Sequence, residues 1–434
     1  MNEIYDVAII GGGPAGSTAA CLLARAGRRV VVLEREKFPR FHIGESLLPY
    51  SMPVFDRLGV REELDRTAQP KHGAELLTAC GERHVVFHFA DGFRLKHHRS
   101  YQVERATFDK LLLDNAAKHG AEVREQVAVE RVAFDETGVT LQIKGADGES
   151  VRARYVIDAS GRNTVIGQQE GLKKSYPHLN KFAVYAHYEN VVRREGPDGC
   201  TLTRMVRARD RWFWVIPLSD TKTSIGMVTD TATFKKWRLS PEDALEAGFR
   251  EQPHFREILT GAERVTPIYS TGDYSYRNTR LSGPRWLLAG DAAGFIDPVF
   301  STGVFLAIAS GEQSADAIHT ALDRPAEAPR LFAGYEKRFG KIMSLYLRFV
   351  DSWYAHEFIE VISQPTRRFD LPGAVNAVLA GNINGGFSIW WRMQLFYLVV
   401  FLQRFVRLCP RLSLTPAPAP APAPTPEPAT PCAP

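Results

Sequence analysis

The chain is poor in the features that mark secreted, metal-stabilised or membrane proteins. Its five cysteines, Cys21, Cys80, Cys200, Cys409 and Cys432, are widely scattered. No two stand in a CxxC or metal-ligand spacing, which excludes a disulfide framework and points to a reduced, cytoplasmic protein. Charge of one sign is scarce: 54 Lys and Arg against 49 Asp and Glu leave a net charge of +5. So small and dispersed a surplus suits an acidic ligand or partner and argues against nucleic acid. Met1 runs directly into a strand-like segment, without the basic and apolar regions of a secretion signal. The apolar run Leu395–Leu402 falls short of the roughly 20 residues of a membrane span. It follows Trp390 and Trp391 and is flanked by Arg392, Arg404 and Arg407. This favours a helix that caps the protein's own core or a substrate cavity over one that lies on a membrane surface or a partner.

What is present is the composition of a globular enzyme, 24% charged and 11% aromatic over 434 residues. That length buries one large core or about two to three lobes. Ile4–Ile10 reads as a short apolar strand, Pro14–Ala26 as a helix and Val30–Leu33 as a second strand, a βαβ start. Residues 71–100 are strand-like. A helix is expected near Thr107–Lys118, then strands around 121–133 and 138–144, another at Tyr155–Ile157 and several within 180–230. A strand at 286–289 precedes a helix from about Gly303 to Ala321, and the pattern after 330 is helical and aromatic-rich. From Thr415 Pro and Ala alternate, a composition expected to form a disordered, polyproline-like tail.

Gly11-Gly12-Gly13-Pro14-Ala15-Gly16 is GxGxxG between strand and helix. Gly11 permits the tight turn, Gly13 lets a pyrophosphate approach backbone amides, and Gly16 lets helix and strand pack closely. Glu34 ends the second strand, where an acceptor for a ribose hydroxyl belongs. Strand, turn, helix and acid together predict dinucleotide binding. Farther on, Trp212-Phe213-Trp214-Val215-Ile216-Pro217 puts two indoles at i and i+2 on one face of an extended segment. Pro217 should stop that strand or push it to an edge. By themselves the indoles read as ordinary core.

Asp158-Ala159-Ser160-Gly161-Arg162 closes a strand, and Leu288-Ala289-Gly290-Asp291-Ala292-Ala293-Gly294 follows another. With the GxGxxG, these motifs make the chain similar to the FAD-dependent monooxygenase superfamily over residues 1 to about 320. The resemblance implies an α/β protein with a Rossmann-like FAD-binding domain of the p-hydroxybenzoate-hydroxylase-like fold, a mixed β-sheet substrate domain and a C-terminal helical region. The expected division is a core over 1–320, with FAD-binding parts about 1–70, 101–175 and 280–320 and a substrate-side sheet about 71–100 and 176–279. A helical region over 321–414 and the tail over 415–434 follow. By the same resemblance Asp291 contacts the ribityl chain and Arg105 lies near the flavin phosphates. Glu34, Arg35 and Pro298 join the FAD contacts, and Ser46, in Gly44-Glu45-Ser46-Leu47-Leu48-Pro49, belongs to a flexible strap over the flavin.

Within the superfamily, three features resemble flavin-dependent halogenases. Trp212-x-Trp214-x-Ile216-Pro217 is their W-x-W-x-I-P signature, whose indoles are proposed to keep organic substrate away from the flavin. Phe295 with Pro298, Ser301 and Gly303 gives F-x-x-P-x-x-S-x-G, a turn entering a helix whose Thr302 and Gly303 amides would hold halide. Pro70-Lys71-His72-Gly73-Ala74 matches the segment whose lysine faces the active site, and Lys71 is therefore the expected catalytic residue. The implied reaction uses reduced FAD from a separate flavin reductase, oxygen and chloride or bromide to make hypohalous acid, which Lys71 hydrogen-bonds or carries as a chloramine. No second dinucleotide fingerprint for NAD(P)H is present, in keeping with a separate reductase.

One position departs from part of that family. Tryptophan halogenases carry a glutamate immediately before Ser-Thr-Gly, where this chain has Phe300. No carboxylate acts from there, which disfavours free tryptophan and favours an already activated phenol or pyrrole. His72, His97 and His98 are candidate bases, each also readable as a surface or satisfied histidine. The motif set most resembles halogenases of natural-product pathways that act on phenolic or carrier-protein-tethered substrates, which implies an acyl or peptidyl carrier protein as partner. An oxygen-inserting monooxygenase, a prenyl-chain or lipid reductase and a non-catalytic flavin-fold protein are the alternatives.

Overall fold

Val7, Ala8, Ile9 and Ile10 are buried, so the strand Tyr5–Ile10 must sit inside a sheet covered on both faces. In the computed structural model, which describes residues 4–145, 148–364, 368–383 and 385–415, it pairs in parallel with Val30–Glu34 on one side and Ser150–Asp158 on the other. Trp286–Leu288 and Glu122–Glu125 extend the sheet in the same direction. The strand order reverses across Tyr5–Ile10, and the crevice at such a switch point opens beyond the carboxyl ends of the strands, where Gly11 begins its turn. Residues 121–133 do not form one strand. Gln126 has a φ of +62°, a left-handed residue that breaks the pairing. Glu122–Glu125 stays with the parallel sheet, while Val129–Phe134 turns away to pair with Val139–Ile143.

A second sheet orders Glu263–Arg264, Lys181–Glu189, Lys222–Asp230, Arg211–Pro217, Leu202–Arg207, Gly73–Thr78 and His84–His88, with Tyr269–Gly272 also paired to Lys181–Glu189. Pro217 ends its strand, as expected, yet that strand lies between two others rather than at an edge. Alternation along it is complete. Trp212, Trp214 and Ile216 join the main core with Tyr185 and Met205, whereas Phe213 and Val215 face a separate cluster with Leu245, Phe249 and Phe255. That second cluster is closed by helices Pro241–Glu251 and Pro253–Ile258, which the strand-dominated reading of this region did not anticipate. The first begins on a cap signal: Ser240 Oγ accepts from the Asp243 amide at 3.1 Å, and Pro241 follows it. Helices Met52–Leu58 and Arg61–Thr67 were likewise unforeseen.

After the long helix Thr302–Asp323 come Ala328–Trp353, His356–Ile362, Leu371–Leu379 and Gly386–Leu402. The last of these turns Ile389, Met393, Phe396 and Val400 into the main core and leaves Phe387, Trp390, Leu398, Phe401 and Leu402 exposed. Among the described residues, no helix is long and apolar enough to cross a membrane. The expected extended tail lies outside the described residues apart from Thr415. Because Phe213 is fully buried on the face away from Lys71 and the GxGxxG, Phe213→Ala should cost about 3–5 kcal/mol of stability. Denaturant unfolding paired with FAD titration checks this; the FAD affinity of the folded fraction should not change.

Candidate functional site

The glycines of the first turn have different reasons to be glycine. Gly11 leaves its strand at φ +99°, and a Cβ there would lie 2.5 Å from the Ala159 carbonyl oxygen. A Cβ on Gly16 would meet the Gly11 oxygen at 1.9 Å. At Gly13 the nearest atom to a Cβ is Nη2 of Arg40, 3.7 Å away, so the backbone there is bare and a cation stands over it. Pro14 starts the helix and Gly13 caps it without a side-chain hydrogen bond, which leaves the first-turn amides of Ala15 and Gly16 to an anion. Glu34 is buried; its Oε2 accepts from the Gly12 amide at 2.6 Å and its Oε1 from Glu36 at 2.8 Å. Both oxygens keep a lone pair for a ribose hydroxyl. This cradle fits the pyrophosphate and ribose of FAD. Arg35, by contrast, is exposed, with Glu36 at 3.9 Å as its ionic neighbour.

Arg105 is committed to protein. Its Nε and Nη2 clasp both Asp109 oxygens at 2.7 and 2.8 Å, and Nη1 donates to the carbonyl of Ile43 at 2.7 Å. It thus positions the strap from beneath. Arg40, which shares Asp109 at 3.0 Å, is the guanidinium over the phosphate turn and was missed by sequence reasoning, since a lone arginine in Phe38-Pro39-Arg40-Phe41 carries no motif. Ser46 is buried in the strap, bonded to Thr203 across 2.9 Å and bridged to Gln102.

The Gly290–Ala292 turn lies against Ala15: a Cβ on Gly290 would be 3.0 Å from the Ala15 Cβ. Burial pushes the Asp291 carboxyl up to about 6, against the opposing pull of Arg105 and Arg162. The following turn is built on Asp297, whose side chain accepts from the Val299 amide at 3.0 Å and from the Tyr354 hydroxyl at 2.8 Å. Burial raises this carboxyl to about 6 as well. Ser301 then takes a φ of +57° and the 22-residue helix begins at Thr302. The Thr302 and Gly303 amides are therefore among those with no intrahelical acceptor, at the positive end of the helix dipole. Gly303 lies under Phe295, 3.3 Å from where its Cβ would be.

Lys71 is 2% exposed. Its ammonium donates to the Leu47 carbonyl of the strap at 3.1 Å and sits 5.3 Å over the Phe89 ring. Burial pulls its pKa down to about 7. Ser100 stands opposite Lys71 in a two-stranded ribbon, and Gln102 two residues along shares that face. Both are buried, and the Ser100 hydroxyl and both polar atoms of the Gln102 amide lack partners among the described residues. Lys71 lines a small cavity, with room for about one or two waters, together with Phe89, Met205, Val299, Phe300, Ser301 and Asn376. The amine and the turn before Thr302 thus meet in one space. His72, His97 and His98 are not among its lining residues.

Phe300 packs on Phe349 and Trp353 of the C-terminal region, with ring centroids 4.4 and 5.6 Å apart. Neither indole is among the residues that line the cavity. Trp212 is 5.9 Å from Trp214 and 6.4 Å from Trp353. Trp212 Nε1 donates to the Tyr354 hydroxyl at 3.3 Å, and that hydroxyl donates onward to Asp297. Trp214 stands opposite Met205 in the sheet and donates to Ser224 at 3.2 Å. From the sequence, Trp353 and Tyr354 were open between walling the site and simply packing, and Asn376 was not identified, because a lone asparagine carries no motif.

The FAD binding domain family matches residues 4–338 of this chain. A 1H-pyrrole-2-carbonyl-[peptidyl-carrier protein] chlorinase of Pseudomonas fluorescens is 31% identical, over 85% of this chain and 88% of its own length. A 1H-pyrrole-2-carbonyl-[peptidyl-carrier protein] brominase of Pseudoalteromonas luteoviolacea is 34% identical, over 74% and 80%. The solved structure of the myxobacterial chondrochloren halogenase superposes with a TM-score of 0.76 at 32% identity, covering 92% of this chain and 97% of that one. The chain belongs to the FAD-dependent halogenase family of oxidoreductases.

Proposed function

We propose that this flavin-dependent halogenase acts on an electron-rich ring, pyrrolic or phenolic, presented on an acyl or peptidyl carrier protein, and that Lys71 directs the oxidised halogen to it. The observation that carries the reading is the buried Lys71 amine sharing a cavity with Val299, Phe300 and Ser301, immediately before the Thr302 and Gly303 amides. Gly11, Gly13, Pro14, Ala15, Gly16 and Glu34 would hold the adenine side of FAD, with Arg40 over the phosphates. Ser46, Asp291, Pro298 and Gly303 would border its flavin side. Reduced FAD with oxygen supplies the two-electron oxidation of halide. The protein's own groups do the rest. The Thr302 and Gly303 amides hold chloride or bromide at a helix N-terminus. The neutral Lys71 amine takes halogen from hypohalous acid with loss of water. The ring then takes the halogen from nitrogen and loses a proton, and the amine regains its hydrogen.

The position of Phe300 supports an already activated ring, since no carboxylate stands there to raise the electron density of a less reactive one. The carrier is supported by the substrates named for the two pyrrole relatives, and a separate reductase by the lack of a second dinucleotide fingerprint. A reduced, cytoplasmic setting is supported by the four described cysteines, all free.

Lys71→Ala should still give halide-dependent oxidant, trapped with monochlorodimedone, while halogenated product falls by at least about 100-fold. Hydroxylated product without oxidant from the unaltered protein would instead indicate oxygen insertion. Because burial lowers the Lys71 pKa to about 7, its neutral form accumulates above pH 7 rather than above the usual lysine range. Product per trapped oxidant should therefore rise with pH through about 7, and a flat profile across pH 6–8 would remove the amine as halogen carrier. A pyrrole-2-carbonyl group loaded on a carrier protein should be halogenated while the free acid is not; equal rates would rule out tethering.

A further inference from the structure

Helix Leu371–Leu379 is an unusual place for an amide. Gly373 through Leu379 are all buried, and Asn376 is the one polar side chain among them. Such a group costs stability unless its polar atoms are paired. Half of it is: Nδ2 donates to the His88 carbonyl at 2.5 Å. A carbonyl only accepts, so this contact fixes which side of the amide is nitrogen. Oδ1 is then an acceptor held in one place, buried and without a partner among the described residues. Asn376 lines the Lys71 cavity, whose other walls are largely apolar. The helix is pinned beside it, because the Phe93 amide donates to Gly373 at 2.9 Å and Phe89, from the same segment, lies under the lysine.

We infer that Asn376 Oδ1 is the acceptor for a hydrogen bond donated by the substrate's own ring substituent, an N–H or a phenolic O–H. This rests on the halogenase reading of the cavity and adds to it a specificity-determining residue from the C-terminal region. Asn376 and Lys71 are two polar groups in an apolar pocket. A ring anchored to the first through its N–H or O–H turns a particular carbon toward the second, so Asn376 sets orientation and thereby regiochemistry. A substrate without that donor leaves Oδ1 unpaired, and sites built to receive a hydrogen bond discriminate strongly against such analogues.

The test uses the full-length protein with reduced FAD, oxygen and bromide. A carrier protein is loaded with pyrrole-2-carbonyl or with N-methylpyrrole-2-carbonyl thioester, and each product is normalised to oxidant trapped by monochlorodimedone. The unaltered protein should prefer the N–H ring by about 10- to 100-fold. Asn376→Leu should bring that preference close to one. Asn376→Asp, which keeps an oxygen acceptor, should retain most of it. The methyl group adds the same bulk in every comparison, so the change in preference isolates the hydrogen bond. Oxidant without an N–H preference, or a preference unchanged in Asn376→Leu, overturns this inference alone. No oxidant from the unaltered protein overturns the halogenase reading and this inference with it. If Asn376→Leu does not fold, Asn376→Ala, which removes the same acceptor, takes its place: its preference should also fall close to one, and an unchanged preference overturns the inference.

Discussion

The helix that starts at Thr302 can lie against the first helix only because residue 311 is glycine. A Cβ there would stand 2.4 Å from the Ala15 carbonyl oxygen. Ala15 is itself in the phosphate turn, and the Gly290 turn presses on it from a third direction. Three segments far apart in sequence thus share one contact at van der Waals limits. Close packing makes this a rigid reference: the amides of the first helix, the Asp291 carboxyl and the N-terminus beginning at Thr302 have fixed relative positions before any ligand arrives. A cofactor lying across them would meet the first-helix amides at one end and the N-terminus beginning at Thr302 at the other.

From that reference the site is built outward by polar contacts. Asp297 holds the turn before Thr302 and accepts from Tyr354, which in turn receives the Trp212 indole N–H. The tryptophan signature is therefore tied to the turn before Thr302 by a hydroxyl from the C-terminal region, and Trp353 bridges the same gap by stacking. Phe300 and Met205 line the Lys71 cavity, and the indoles pack beside them through Trp353 and the sheet. Lys71 gains its unusual environment in a similar way: the strap carbonyl of Leu47 is its hydrogen-bond acceptor, and no carboxylate offsets its burial.

Much of the first lobe was legible in the chain because its signals are local. The apolar run before Gly11, the glycines, Pro14 and Glu34 each determine backbone geometry within a few residues, and strand, turn and helix follow to within a residue or two. Boundaries failed where one residue changes handedness, as at Gln126, or where a short capped helix such as Pro241–Glu251 hides in a region dominated by strands. Arg105 was legible as important: its partner Asp109 lies one helical turn away, which spacing alone suggests, but only packing shows that the pair is buried and that Arg40 stands over Gly13.

By itself the sequence determined the cofactor class, the family and the identity of the buried lysine, because GxGxxG, the Asp291 turn and the Lys71 and Trp212 segments are contiguous patterns whose chemistry is set by neighbours in the chain. It also placed both indoles on one face, since strand alternation is a property of the backbone. Tertiary structure alone decided that Lys71, Phe300 and Asn376 share a cavity, that Trp212 is tied to Asp297 through Tyr354, and that a C-terminal helix supplies an acceptor with one side of its amide already committed. Residues 71, 300 and 376 lie far apart in the chain, and no local pattern encodes a contact whose energy exists only when distant surfaces exclude water together.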